Sequence, residues 1–446
     1  MDPNGKKENT LTSWKEIAAY LDRDVRTCIR WEQRYGLPVH RLDRDSKAKV
    51  FAYKDEVDRW LAGRSAVVDA AAEAQAPVRR SFRFFPILIA MIGLGAAAYF
   101  LFVHPKAGAP GVPAGFLIRG SQLVVTNAQG RELWSYDTRL RDLYDDSYYR
   151  EHYQVRGHNR STYDPVWPYV MIQDLNKDGR PEVLFTPKTK SEAKEGRLTV
   201  FDDKGAELWH FDGGRALTFG RDRYRAVYRV WGFDVDDYDG DGESEILVVS
   251  IQKPDFPCQV VLLDAAGKVE GEYWNAGYLF DAELADVDLD GVKELMLGGV
   301  NNEYARGCLA VFKPGRLHGS SPQIANRYRS PELAAGQQSL YILFPTSDVH
   351  AARHAEGDPV NYFWAHEEGG FQAVTTSSHL IYEFDASLRC SYVILATDFQ
   401  NLHRELTWSG LVHTELDDAY KQDLLGQFRY FFDGRWSPST PASVGR

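Results

Sequence analysis

Three nine-residue strings decide how this chain folds: DLNKDGRPE from Asp174 to Glu182, DYDGDGESE from Asp237 to Glu245, and DVDLDGVKE from Asp286 to Glu294. Each places Asp or Asn at positions 1, 3 and 5, Gly at position 6 and Glu at position 9. A hard cation such as Ca2+ takes about 6 to 8 oxygen ligands, and this spacing wraps the chain around one ion, with the carbonyl of position 7 as a further ligand. The candidate ligands are Asp174, Asn176, Asp178, Arg180 and Glu182; Asp237, Asp239, Asp241, Glu243 and Glu245; and Asp286, Asp288, Asp290, Val292 and Glu294. Arg180, Glu243 and Val292 enter through their backbone carbonyls. The expected cofactor is Ca2+, up to three ions, because Mg2+ demands a tight octahedron and keeps several waters. An EF-hand needs a bidentate Glu at position 12, where this chain has Phe185, Val248 and Leu297, so that motif is excluded.

Apolar runs that read as strands follow each loop: VLFTP, ILVVS and LMLGG. The loops start 63 and 49 residues apart, the period of a propeller blade. A second repeat runs through VVTNAQGRELW, TVFDDKGAELW and VLLDAAGKVEGEYW, where Trp134, Trp209 and Trp274 end comparable hairpins, with VFKPGRL and IYEFDASLR as looser copies. Loops and hairpins together resemble the FG-GAP and VCBS repeats of the integrin-α type of β-propeller. That resemblance implies a large all-β propeller of about five to seven blades, with ions that brace the blades. No clear integrin-like FG and GAP pair accompanies the loops, and the sequence before Asp174 and after Glu294 lacks them.

The 446 residues are 44% hydrophobic and 26% charged, a globular composition that excludes a disordered or fibrous chain. Their net charge of −11 is uneven: residues 1–83 carry 17 Lys and Arg against 13 Asp and Glu, or +4, which leaves −15 for the remainder. Between the two lies FFPILIAMIGLGAAAYFLFV, Phe84 to Val103, which is free of charge and as a helix spans about 30 Å, the thickness of a bilayer core. Arg79, Arg80 and Arg83 crowd its N-terminal flank against Lys106 alone beyond it, so the N-terminus is expected in the cytoplasm and the C-terminal module outside it. The expected chain is a single-pass inner-membrane protein with a periplasmic C-terminal domain. Its parts are a module at 11–64, linkers at 65–83 and 104–115 around the span 84–103, the propeller at 116–435 and a flexible tail at 436–446.

The small module begins with Ser13-Trp14-Lys15-Glu16, an S-x-x-E capping box, and Trp14, Ile17, Ala18 and Leu21 then follow at helical spacing. A second helix is expected from Val25 to Arg34, then a Gly36-Leu37-Pro38 turn, a basic hairpin and a closing helix around Val57, Trp60 and Leu61. In this order the elements resemble the winged helix-turn-helix of the MerR and excisionase group. The resemblance implies an α-rich DNA-binding domain that contacts DNA through Arg26, Thr27 and Arg30 of the second helix, Arg23 just before it, and Arg41, Lys47 and Lys49 of the wing, as a dimer on a two-fold site. The fold class is therefore multidomain: winged helix, one transmembrane helix, propeller.

Four cysteines exclude a disulfide scaffold, and Cys258, Cys308 and Cys390 allow at most one pair outside the cytoplasm. The aromatic stretches YDDSYYREHYQ and STYDPVWPY read as blade packing. No nucleophile elbow, P-loop, dinucleotide fingerprint or zinc motif occurs, and no enzyme is expected. The reading that uses every part is a membrane-anchored one-component transcriptional regulator, its propeller sensing a ligand or partner. The alternative is a membrane-anchored adhesion or scaffold protein whose N-terminal module makes protein contacts. A propeller enzyme on the outer face is the third option, although fold by itself does not supply chemistry.

Overall fold

The computed structural model describes residues 10–21, 28, 37–41, 50–59, 111–154, 167–191, 196–253, 256–353 and 357–440. The chain divides into two compact units, Met1–His104 and Pro105–Arg446.

In the first unit, strand β1 (Thr10–Leu11) leads into helix α1 (Trp14–Leu21), and β2 (His40–Arg41) pairs with β3 (Val50–Tyr53) in a three-stranded sheet of order β1-β3-β2. Ser13 Oγ accepts the Glu16 amide at 3.3 Å, while the Glu16 carboxylate reaches back to the Thr12 amide at 2.8 Å. The capping box thus closes one residue earlier than the S-x-x-E pattern implies, and it satisfies two amides that a helix start leaves open. Ile17 and Ala18 are buried with Cys28, Ala52 and Val57, and residues 54–59 are helical. His40↔Phe51 and Arg41↔Val50 set the register of the hairpin. Arg23, Arg26, Thr27, Arg30, Lys47 and Lys49 lie outside the described residues, as does the span 84–103. Among the described residues no helix is long and apolar enough to cross a membrane.

The second unit is mostly β, built from five successive antiparallel sheets with the meander topology of propeller blades. The first holds β4 (Gly115–Arg119), β5 (Gln122–Thr126) and β6 (Glu132–Asp137); the second β7 (Val170–Gln173), β8 (Glu182–Phe185), β9 (Leu198–Phe201) and β10 (Glu207–Phe211). After a small hairpin of β11 (Leu217–Phe219) and β12 (Asp222–Tyr224), the third holds β13 (Arg229–Asp236), β14 (Glu245–Ile251), β15 (Cys258–Leu263) and β16 (Val269–Asn275), with β20 (His318–Ser320) parallel to β16. The fourth runs β17 (Leu279–Ala285), β18 (Glu294–Asn301), β19 (Arg306–Phe312) and β21 (Leu340–Leu343). The fifth holds β22 (Val360–Ala365), β23 (Phe371–Thr375), β24 (Leu380–Phe384) and β25 (Cys390–Leu395). The chain then returns to the fourth sheet, where β26 (Arg429–Phe432) pairs with β21 and β27 (Arg435–Ser437) forms the edge. Trp436 and Ser437, the first residues of the expected tail, are therefore strand.

The repeated hairpins interlock neighbouring sheets. Asn127, Asp202, Asp264 and Asp385 each open a turn whose backbone amides at the second and fourth residues beyond bond back to the side chain, as Asp202 Oδ1 does with Lys204 (3.0 Å) and Ala206 (2.7 Å). Trp134 of the first sheet donates Nε1 to the Asp203 carbonyl of the second at 3.1 Å, and Trp209 repeats this on Ala265 of the third at 2.9 Å. Gly205 and Gly267 sit beneath those indoles with φ of 87° and 81°, and a Cβ at either would come within 2.6 Å of the ring. Glycine there satisfies both the turn and the close approach.

One more expectation needs correction. The module is not purely β, since α2 (Asp146–Gln154), α3 (Asp348–Ala352), α4 (Thr397–Trp408) and α5 (Asp418–Gln427) are inserted among the sheets. YDDSYYREHYQ forms α2 because Asp145 caps it, accepting the Tyr148 amide at 3.1 Å, and Tyr149 is buried against the first two sheets. All four cysteines are free and buried, and burial pushes the Cys258 and Cys308 thiols up to about 12.

Candidate metal centres

Each predicted loop joins the first two strands of its sheet: 174–182 between β7 and β8, 237–245 between β13 and β14, and 286–294 between β17 and β18. The backbone is wound the same way in all three. The position 1 Asp takes the position 6 amide, Asp174–Gly179 at 2.8 Å, Asp237–Gly242 at 3.0 Å and Asp286–Gly291 at 3.0 Å. The position 5 Asp takes the position 7 amide, on Arg180, Glu243 and Val292, at 2.8, 2.7 and 2.9 Å. Position 6 has φ of 83°, 90° and 87°, with nothing near a would-be Cβ, so glycine serves the backbone angle and not a shortage of space.

The position 9 glutamates, Glu182, Glu245 and Glu294, open the second strand and are all buried. One oxygen of each accepts the position 2 amide, Leu175 and Tyr238 at 2.8 Å and Val287 at 3.1 Å. The other oxygen faces the loop, and here the copies diverge.

In the second loop no side-chain donor meets it among the described residues, and oxygens of Asp237, Asp239 and Glu245 lie within 4.8 Å of one another. Burial, with Asp239 and Asp241 adding like charge, pushes the Glu245 carboxyl up to about 7. In the first loop Asn176 donates Nδ2 to Glu182 Oε1 at 3.1 Å while its own Oδ1 accepts the Asp178 amide at 2.9 Å. Lys177 leaves that loop for the next one, bonding the Gly242 carbonyl and pairing with Glu243 at 3.1 Å.

In the third loop the free oxygen is taken by an ammonium. Lys313 Nζ lies 2.5 Å from Glu294 Oε1, 2.6 Å from Asp290 Oδ2 and 3.0 Å from Asp288 Oδ2. Burial alone would lower its pKa, but hydrogen bonds to these three carboxylates outweigh that and hold it above the usual lysine value. Oxygens of Asp286, Asp288 and Asp290 also lie within 4.8 Å of one another, and among the described residues Asp286 Oδ1 is buried without a partner. The second loop therefore fits a hard divalent cation as it stands; the first fits once Asn176 releases Glu182; the third already holds a cationic group among the same oxygens.

A further feature was not singled out in the sequence. A cavity of about 760 Å3 opens between the 320–338 loop and the β26–β27 hairpin, lined among others by Ile324, Tyr328, Arg329, Gln338, Phe431 and Trp436. Ile324 is exposed, and among the described residues the buried Gln338 leaves Oε1 without a partner. Its parts come from segments about a hundred residues apart, so no local motif announces it.

No family model matches the chain, and no curated protein matches it. Among solved structures it is similar to the Dos1 propeller (12% identity, 62% of this chain and 53% of that one, TM-score 0.31). It is also similar to BBS1N in complex with ARL6DN (8%, 66% and 72%, TM-score 0.30) and to BamB from Moraxella catarrhalis (13%, 62% and 65%, TM-score 0.27). The chain spans about half the length of the Dos1 structure.

Proposed function

We propose that residues 111–440 form a propeller-type binding module that engages a protein partner or ligand outside the cytoplasm, anchored by the 84–103 segment as part of a scaffold or adhesion protein. The observation that carries this reading is the cavity beside the last hairpin, whose lining includes exposed Ile324, Tyr328, Trp436 and Arg329. Apolar and aromatic surface with a few placed polar groups is what binding clefts are made of. Calcium in the loops has a bracing role in this reading, because the ligands knit the first two strands of a sheet at its rim. No catalytic step is assigned.

A photo-crosslinking residue at Ile324 of the full chain should trap one discrete partner in cells, with the adduct lost in Trp436→Ala, whereas the same residue at exposed Val269 traps none. Equal labelling at both positions would contradict it.

The regulator reading is favoured by one observation, the capped helix α1 packed with a β2–β3 hairpin at the position expected of a wing. Its DNA contacts are Arg26, Arg30 and the hairpin cations. Selection of random duplex DNA by the full-length chain at low salt should enrich one palindromic motif, and Arg30→Ala should relax it. Absence of any enriched sequence leaves the scaffold reading alone.

A further inference from the structure

The strand registers make Lys313 directly comparable with two other residues. Val183↔Phe201, Ile246↔Leu263 and Leu295↔Phe312 are equivalent pairs in the second, third and fourth sheets, each placing the residue after the loop Glu opposite the last residue of the third strand. The next residue opens the turn: Asp202, Asp264 and Lys313. Each accepts a bond on its carbonyl from the amide three residues on, Gly205 at 3.1 Å, Gly267 at 2.9 Å and Arg316 at 3.1 Å. At one register, beside one loop, two sheets carry an acid that folds back on its own turn and one sheet carries a base that reaches into the loop.

We infer that Lys313 is the resident cation of the third loop, so that this loop braces its sheet without a metal ion while the other two are the calcium sites. An ammonium supplies one charge and three directed donors, and all three are used, on Asp288, Asp290 and Glu294. A divalent ion would need those same oxygens, so binding there requires Lys313 to leave. Asp286, whose Oδ1 Lys313 does not reach, tests the loop without disturbing the ammonium.

The inference concerns only the third loop and is separable from the calcium reading of the others. The experiment is calcium stoichiometry on the purified full-length chain in detergent, by equilibrium dialysis with the metal alone. Wild type should bind two ions, Asp286→Asn still two, and Lys313→Met three, with Asp286→Asn returning the double variant to two. Three ions in wild type falling to two in Asp286→Asn would overturn the inference, and so would Lys313→Met staying at two. If wild type binds none, the calcium reading of the first two loops fails, and a rise to one in Lys313→Met still upholds the assignment. No ion in either protein overturns both. Asp286→Asn is isosteric and keeps the ion pairs of Lys313, so it remains informative should Lys313→Met prove too unstable to purify.

Discussion

The loops at 237–245 and 286–294 share their ligand spacing, their glycine and their buried glutamate, yet they solve the same electrostatic problem differently. Both gather carboxylates at a sheet rim, an arrangement that repels itself and must be neutralised. Among the described residues the second loop has no cation of its own chain among its side-chain ligand oxygens, and its buried Glu245 responds by holding a proton more readily. The third loop is threaded by Lys313, and Asp290 is held below the ordinary carboxylate range by that contact. Backbone winding is thus fixed by the loop's own hydrogen bonds, whereas the source of positive charge is set by a residue about twenty positions away.

The comparison breaks most visibly at Lys313. Removing one partner of a buried ion pair costs about 3 to 5 kcal/mol; with Lys313 35% exposed, solvent screening reduces the expectation for Lys313→Met to about 2 kcal/mol in chelator. Urea denaturation should show that loss, and calcium should restore much of it. In wild type, chelator should lower stability by about 2.7 kcal/mol for each ion held at a hundredfold excess over its dissociation constant. Asp241→Ala or Asp264→Lys should each remove one ion's share of that sensitivity, the second by copying the fourth sheet's solution into the third. A smaller effect is expected in the first loop: Asn176→Asp frees Glu182 from its amide donor and adds ligand charge, and calcium titration should report roughly tenfold tighter binding. Smallest of all is Lys177→Met, since that pair with Glu243 is more than half exposed and is worth under about 1 kcal/mol in a thermal melt.

Much of this was legible in the sequence because it is local. The D-x-D/N-x-D-G-x-x-E strings and the Asx turns of NAQG, DDKG and DAAG are set by side chains bonding to backbone two to seven residues away, so their spacing is visible directly. Even the anomaly at Lys313 is printed in VFKPGRL, where the other copies begin with Asp or Asn; its meaning required the strand register. What was not legible depends on distance or on competition. Tyr-rich 144–154 suits a strand by composition, and the Asp145 cap decides for helix. The return of β26 and β27 to the fourth sheet joins Arg429 to Leu343, a pairing no local pattern encodes. The cavity inherits that non-local origin.

Anomalous scattering from crystals of the chain, with its loops loaded with calcium, is the most direct test of the claim that one loop pattern uses two kinds of cation. The account predicts peaks within the 174–182 and 237–245 loops, none within 286–294, and the Lys313 amine among Asp288, Asp290 and Glu294. A peak in the third loop with Lys313 turned out to solvent would contradict it.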